Sequence, residues 1–173
     1  MYILQYRGLS LASQAIKIWT WGEYSHSALG HSDGSICEAW EKAGVDHVSD
    51  PWVNHVPGTP VDVYRLKRST PFQNNMIWSA ALSKRGCSYD WKALLGFMPA
   101  TRWLWKDDPN LWFCSHYVPW ACRAGGVYLF SVTTPLYKIS PSKISWSPEL
   151  AFVGQVVNNY QYEGILKRYA YTN

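Results

Sequence analysis

The dipeptide Asp33-Gly34 separates two strand-like runs, residues 26–32 (His-Ser-Ala-Leu-Gly-His-Ser) and 35–40 (Ser-Ile-Cys-Glu-Ala-Trp). An Asp-Gly pair tolerates positive φ, so it closes a tight antiparallel hairpin and commits this part of the chain to a sheet. Residues 61–66 alternate in polarity and predict a further strand. Helical spacing replaces alternation at two places. Residues 10–20 place Leu11, Ala15, Ile18 and Trp19 on one side, with Ser10 as N-cap. Residues 74–84 place Ile77, Trp78, Ala81 and Leu82 together and stop at Gly86. Residues 89–97 predict one or two helical turns. Residues 113–124 predict a helix that opens at Cys114 and ends at Gly125-Gly126, with Pro119 expected close to its first turn. Strands are predicted at 127–132, 152–157 and 164–170. The order of hairpin, helices, then strands gives an α+β fold with an antiparallel sheet packed against helices.

A length of 173 residues fits one domain spanning 1–173, and 47% hydrophobic content suffices for a packed core. The net charge of +4 is scattered, with a single tight cluster at Arg65, Lys67 and Arg68, and gives no nucleic-acid signature. Neither a signal-peptide pattern nor a run of roughly 20 apolar residues is present. The expectation is a cytoplasmic protein with free thiols and no transmembrane segment; a phage-encoded or lysis-released protein gives the same pattern. The aromatic content, Trp 11, Tyr 12 and Phe 5, serves core packing, an exposed binding surface, or both.

The four cysteines are Cys37, Cys87, Cys114 and Cys122, and no C-x-x-C pair argues for zinc or disulfide exchange. No cofactor or metal is expected. A nucleophilic cysteine needs its thiolate stabilised, and the unpaired N–H groups and dipole of a helix start supply part of that. Cys114 stands at such a start. Cys37 is mid-strand, Cys122 is deep in a helix, and Cys87 follows a helix end. By position alone a buried structural cysteine remains the competing reading of Cys114. Of the five histidines, His116 is two residues from Cys114 on the same helix and faces elsewhere. His47 and His55 fall in Gly-, Pro- and Asp-containing segments and read as loop residues. His26, at the head of the first hairpin strand, is the best-placed base for a thiol nucleophile.

The order His26, Glu38, Cys114 resembles the circularly permuted branch of the NlpC-type papain-fold family, the YiiX-like group, with lecithin:retinol acyltransferase-like proteins as more distant relatives. The resemblance runs over residues 22–150. It rests on Ser25-His26-Ser27-Ala28-Leu29 with Asp33-Gly34, and Cys37-Glu38-Ala39 with Gly44-Val45. Further on it rests on Gly86-Cys87-Ser88-Tyr89-Asp90, Phe113-Cys114-Ser115, Gly125-Gly126 and Ser140-Pro141-Ser142-Lys143-Ile144. It implies a cysteine hydrolase in which Cys114 attacks a carbonyl, His26 moves the proton and Glu38 orients the imidazole. The implied substrate is an amide, such as a cell-wall (peptidoglycan) peptide. A lipid or acyl-ester substrate and a non-catalytic binding module are the alternatives. The chain has His116 where the family often carries an acid after Cys-Ser.

Hairpin geometry tests Glu38 directly. With a two-residue turn at Asp33-Gly34, Ser32 pairs with Ser35, Ala28 with Ala39, and His26 with Glu41. Glu38 then lies opposite Leu29 on the other face, and Glu41 becomes the acid. Placing Glu38 beside His26 requires a bulge or a widened loop between Gly30 and Ser35. The Cys114 N–H and the Tyr24 hydroxyl are oxyanion candidates, although Tyr24 also reads as a packed aromatic. The aromatic-rich stretch 97–112, with Trp103, Trp105 and Trp112, is expected to wall the substrate cleft.

Overall fold

The computed structural model describes residues 1–98, 100–101 and 108–169. Its centre is a six-stranded antiparallel sheet in the order β4-β3-β2-β1-β5-β8. The strands are β1 (Tyr2–Tyr6), β2 (His26–Gly30), β3 (Ile36–Trp40), β4 (Gly44–Val48), β5 (Val61–Leu66) and β8 (Leu150–Val156). A short parallel pair, β6 (Ser88–Tyr89) with β7 (Leu111–Trp112), stands apart. The helices are α1 (Leu11–Thr20), α2 (Pro71–Leu82), α3 (Trp91–Leu95), α4 (Cys114–Ala124), α5 (Pro141–Ile144) and α6 (Asn159–Tyr169).

Side-chain alternation along the strands divides the core into two layers. Ile3, Leu29, Cys37 and Ala39 pack against α2 and α4 through Ile77, Ala81, Tyr117, Val118 and Ala121. Tyr2, Leu4, Tyr6, Ala28, Ile36 and Val63 pack on the other side against Tyr162, Ile165 and Leu166 of α6. Tyr117 donates from its hydroxyl to the Ala81 carbonyl at 2.8 Å and ties α4 to α2. The segment around α5 joins α4 to the head of β2: Ser115 Oγ donates to the Ile139 carbonyl at 2.6 Å, and the Tyr24 N–H donates to Ser142 Oγ at 3.1 Å.

Three expectations change. Residues 164–170 were expected as a strand, but Tyr162, Ile165 and Leu166 recur at helical spacing and form the buried side of α6. Residues 127–132 are irregular chain rather than a strand. Pro119 lies more than a turn inside α4, where it removes the N–H that would bond the Ser115 carbonyl. β1, for which the sequence predicts no strand, has five buried residues and pairs with both β2 and β5.

The β3–β4 connection shows how tightly the hairpin end is held. Gly44 has φ +71°, and a Cβ there would lie 2.1 Å from the Cys87 carbonyl oxygen. Gly58 has φ +78° with open space around it. Gly58→Ala should therefore cost only the left-handed strain, about 1–2 kcal/mol. Gly44→Ala should cost more, because backbone must also move. Urea denaturation of the two variants checks this order, and equal losses would contradict the close approach at Cys87.

Candidate active site

The β2–β3 register brings the acid to the histidine. Ala28 lies opposite Glu38, Leu29 opposite Cys37 and Gly30 opposite Ile36. The His31 N–H donates to the Ser35 carbonyl, so three residues, Ser32 to Gly34, form the loop instead of two. Gly34 supplies the positive φ of +95°, and Asp33 accepts from both the N–H and the hydroxyl of Ser35. This widened loop shifts β3 by one residue relative to a two-residue turn. It puts Glu38 on the same face of the sheet as His26 and Ala28, leaving Glu41 beyond the strand on the wall of the neighbouring cleft.

His26 Nε2 and Glu38 Oε2 are 2.6 Å apart, and both side chains are buried. The other carboxylate oxygen accepts from Asn54 Nδ2 at 2.8 Å. With Nε2 committed to Glu38, Nδ1 is the ring nitrogen left for a further partner, and Cys114 is near enough for its charge to act on the imidazole. Cys114 is the first residue of α4, behind the extended N-cap Phe113, and is 1% exposed.

Charge explains the titration of this pair. Burial disfavours the imidazolium, but the charge and hydrogen bond of Cys114, followed by those of Glu38, outweigh it and raise His26 to about 10. Burial alone would likewise raise Glu38, yet its contacts with His26 and His55 hold it well below the ordinary carboxylate range. His55 moves the other way. Burial and the nearby His26 charge lower it, and Glu38 offsets this only in part.

A cavity of about 340 Å³ opens onto His26. One wall comes from the chain entering α1 and from α1 itself, through Leu9, Ala12 and Ile16. The other comes from Trp40, Val53 and Val56, with Lys42 and Tyr89 at the margin. Tyr89 lies close enough to Cys114 that, after burial, the sulfur's charge is the next cause of its raised phenol pKa. No arginine lines the cavity among the described residues. At the end of α1, Ile18 is 71% and Trp21 94% exposed.

Two sequence candidates stand elsewhere. Trp112 is 2% exposed and packs its ring on His116 and Trp120 at 4.6 and 4.7 Å, so it is core and not cleft wall. Trp103 and Trp105 lie outside the described residues. The Tyr24 hydroxyl has one proton and donates it to Asp62 Oδ2 at 2.5 Å, within a cluster that includes Tyr64 and Arg7. That leaves no proton for an oxyanion. His116 is buried among Trp112, Phe113 and Tyr137.

Sequence reasoning missed His55 and Asn54. Both sit in an irregular segment, and their approach to Glu38 depends on how residues 49–60 cross the sheet. The available clue was the clustering of aromatic and capping residues there: Asp50 caps the Trp52 N–H, Trp52 Nε1 donates to the Thr59 carbonyl, and the Tyr6 hydroxyl donates to the Pro51 carbonyl.

No family model matches the chain, and no curated protein matches it in sequence. Its fold is similar to the crystal structure of metalloprotein YiiX from Escherichia coli O157:H7, DUF1105. The TM-score is 0.64 at 19% identity, over 90% of this chain and 96% of that one. The chain thus has a YiiX-like α+β fold. Among the described residues no helix is long and apolar enough to cross a membrane.

The raised His26 pKa sets a pH dependence. Its protonated form is favoured in the folded state, so the stability it adds is complete below about pH 6.5 and is lost as pH rises through about 10. Imidazole NMR should show His26 still protonated at pH 8. In Cys114→Ala and in Glu38→Gln its midpoint should fall, and a midpoint unchanged in both variants would contradict the coupling.

Proposed function

We propose that the protein is a cysteine-dependent hydrolase of the permuted papain-like type, with Cys114 as nucleophile, His26 as acid–base and Glu38 as the group that orients His26. The observation that carries this reading is the buried His26–Glu38 pair, with Cys114, the first residue of α4, near enough for its charge to act on the imidazole. A thiol, an imidazole and a carboxylate in that order make a nucleophile with a positioned proton carrier. The substrate carbonyl enters from the cavity, past His26 and Tyr89, and meets the sulfur at the N-terminus of α4. There the Cys114 N–H is available to the developing oxyanion. Attack forms a thioester and expels the leaving group, which takes its proton from His26. Water, deprotonated by His26, then cleaves the thioester and returns free enzyme and acid.

The cavity lining bears on the choice of bond. Leu9, Ala12, Ile16, Val53 and Val56 supply an apolar wall, and Lys42 is the single lysine or arginine among the described lining residues. This supports an acyl ester or acyl amide with an apolar acyl group ahead of a charged cell-wall peptide.

A metal-dependent reading has its own support. The protein of similar fold is described as a metalloprotein. Here the donor atoms of His26, Glu38 and His55 all lie within 4.8 Å of one another. A divalent cation held there would supply Lewis-acid polarisation of a carbonyl or a bound water. The thiol reading stands first because it alone uses the Cys114–His26 contact.

A panel of p-nitrophenyl esters from acetate to decanoate, beside a peptide anilide, tests both points. Cys114→Ala should lower turnover at least ~1000-fold with the fold intact by circular dichroism. Turnover in the wild type should rise with acyl length over the short chains. Turnover that survives Cys114→Ala would refute covalent catalysis by this residue, and a preference for the anilide would reverse the substrate order.

A further inference from the structure

Helix α1 carries its apolar side outward. At 3.6 residues per turn, Leu11, Ala15 and Ile18 fall on one line, and Trp19, Ala12 and Ile16 continue the apolar arc beside it. Ser13, Lys17 and Thr20 fall on the opposite side. Leu11 is 91% and Ile18 71% exposed, whereas Ser13, Lys17 and Thr20 are half-buried. Ser13 packs so closely on Gly8 that a Cβ on that glycine would lie 2.2 Å from the serine Oγ. A surface helix of a globular protein turns its apolar side to the core. Here the polar side faces the protein and the apolar stripe faces out.

Trp21 extends the stripe. It is the C-cap of α1, in the left-handed region at φ +51°, a conformation that helix ends usually give to Gly or Asn. Among the described residues it is the one non-glycine with positive φ. That backbone is unfavourable for a bulky residue, and the ring, 94% exposed, recovers nothing by packing within the chain.

The surroundings specify what covers the stripe. Ala12 and Ile16, at the inner edge of the apolar arc, line the cavity, and Leu9, Val53 and Val56 on the two sides of its mouth are themselves exposed. The stripe and the cavity therefore form one continuous apolar surface. Residues 8–22 contain no Asp or Glu, and their one charged residue, Lys17, borders a shallow depression with Ile18 and Trp21. Glu23, the next acid along the chain, is paired with Arg7. An apolar stripe with a tryptophan at its end, a lysine beside it and no acid is what a helix lying at the boundary of lipid headgroups and acyl chains presents. A second copy of the chain fits less well, because the stripe is one helix wide and a stable protein interface takes about 20–30 residues a side.

We infer that α1 seats the protein on a lipid surface through Leu11, Ile18 and Trp21, with the cavity mouth against the lipid. From there an acyl chain passes along Ala12 and Ile16 into the cavity without crossing water. The seating rests on the stripe alone; delivery of a substrate to Cys114 rests on the thiol-hydrolase reading.

Flotation of the full-length protein with vesicles of phosphatidylcholine and phosphatidylglycerol tests the seating. Leu11→Ser/Ile18→Ser changes two exposed positions outside the cavity lining, so circular dichroism should show an unchanged fold. The wild type should float in high salt as in low, and the double variant should bind at least ~ten-fold more weakly. No vesicle binding by the wild type, equal binding by the double variant, or binding that high salt abolishes would each overturn the seating. So would a wild type that sediments as a dimer while the double variant sediments as a monomer, because a second copy would then cover the stripe. Delivery is read from a short-chain p-nitrophenyl ester in solution beside a long-chain one carried in the vesicles. The double variant should keep its turnover of the dissolved ester and lose at least ~ten-fold on the vesicle-borne one. Equal turnover of the vesicle-borne ester by both proteins would overturn delivery alone. A wild type that binds vesicles through the stripe and hydrolyses neither ester would refute the acyl-ester reading of the site and leave the seating standing.

Discussion

The arrangement around the cavity depends on one buried ion pair, His26 with Glu38. Removing both charges from water carries a penalty of several kcal/mol per ion, which their attraction offsets only if geometry is tight and the remaining lone pairs are bonded. Both conditions are met here: 2.6 Å between the charged atoms, and Asn54 on the second carboxylate oxygen. A pair of this kind is sensitive to register. Slipping β3 by one residue would turn Glu38 to the opposite face, against Leu29 and the side chains of α4, and away from His26 and Asn54. The three-residue loop at Ser32–Gly34 is therefore as much a part of the site as the residues that touch the thiol.

Much of this could be read from the sequence, for identifiable reasons. The hairpin, β5, α1, α2 and the start of α4 each carry a local signal: a turn dipeptide, an alternation, a capping residue or a terminal glycine. The requirement for a widened hairpin came from counting residues across it, since parity fixes the face on which a side chain emerges. What escaped depends on tertiary context. The N-terminal strand looks like an ordinary apolar segment until it is seen between β2 and β5, and α6 read as a strand because its buried residues were considered without their spacing. His55 and Asn54 reach Glu38 through a loop whose path is set by long-range bonds from Tyr6 and Trp52. The assignment of Trp112 to a cleft wall failed because sequence proximity to Cys114 was taken for proximity to solvent.

The cavity places opposing demands on the same few residues. Its apolar walls are built from α1, none of whose ten residues is buried, and from the loop that carries Asn54 and His55. The wall that would admit an acyl group is thus joined in sequence to the group that holds Glu38 in place. Movement of the 49–60 segment would change both access to the cavity and the electrostatics of His26. The aromatic stack of Tyr6, His55 and Trp40 resists that movement, which accounts for the concentration of rings in so small a region.

Activation of Cys114 by His26 is the step on which the proposed thiol chemistry rests. Exposure alone favours a different cysteine, because Cys87 is half-buried while Cys37, Cys114 and Cys122 are buried. Burial also pushes the Cys37 and Cys122 thiols up to about 12. Labelling the folded protein with substoichiometric iodoacetamide at neutral pH, followed by peptide mapping, separates activation from exposure. The first equivalent should go to Cys114, and His26→Ala should redirect it to Cys87. If Cys87 takes the first equivalent in the unmodified protein, and Cys114 reacts only on unfolding, Cys114 is a structural core thiol and the assignment is wrong.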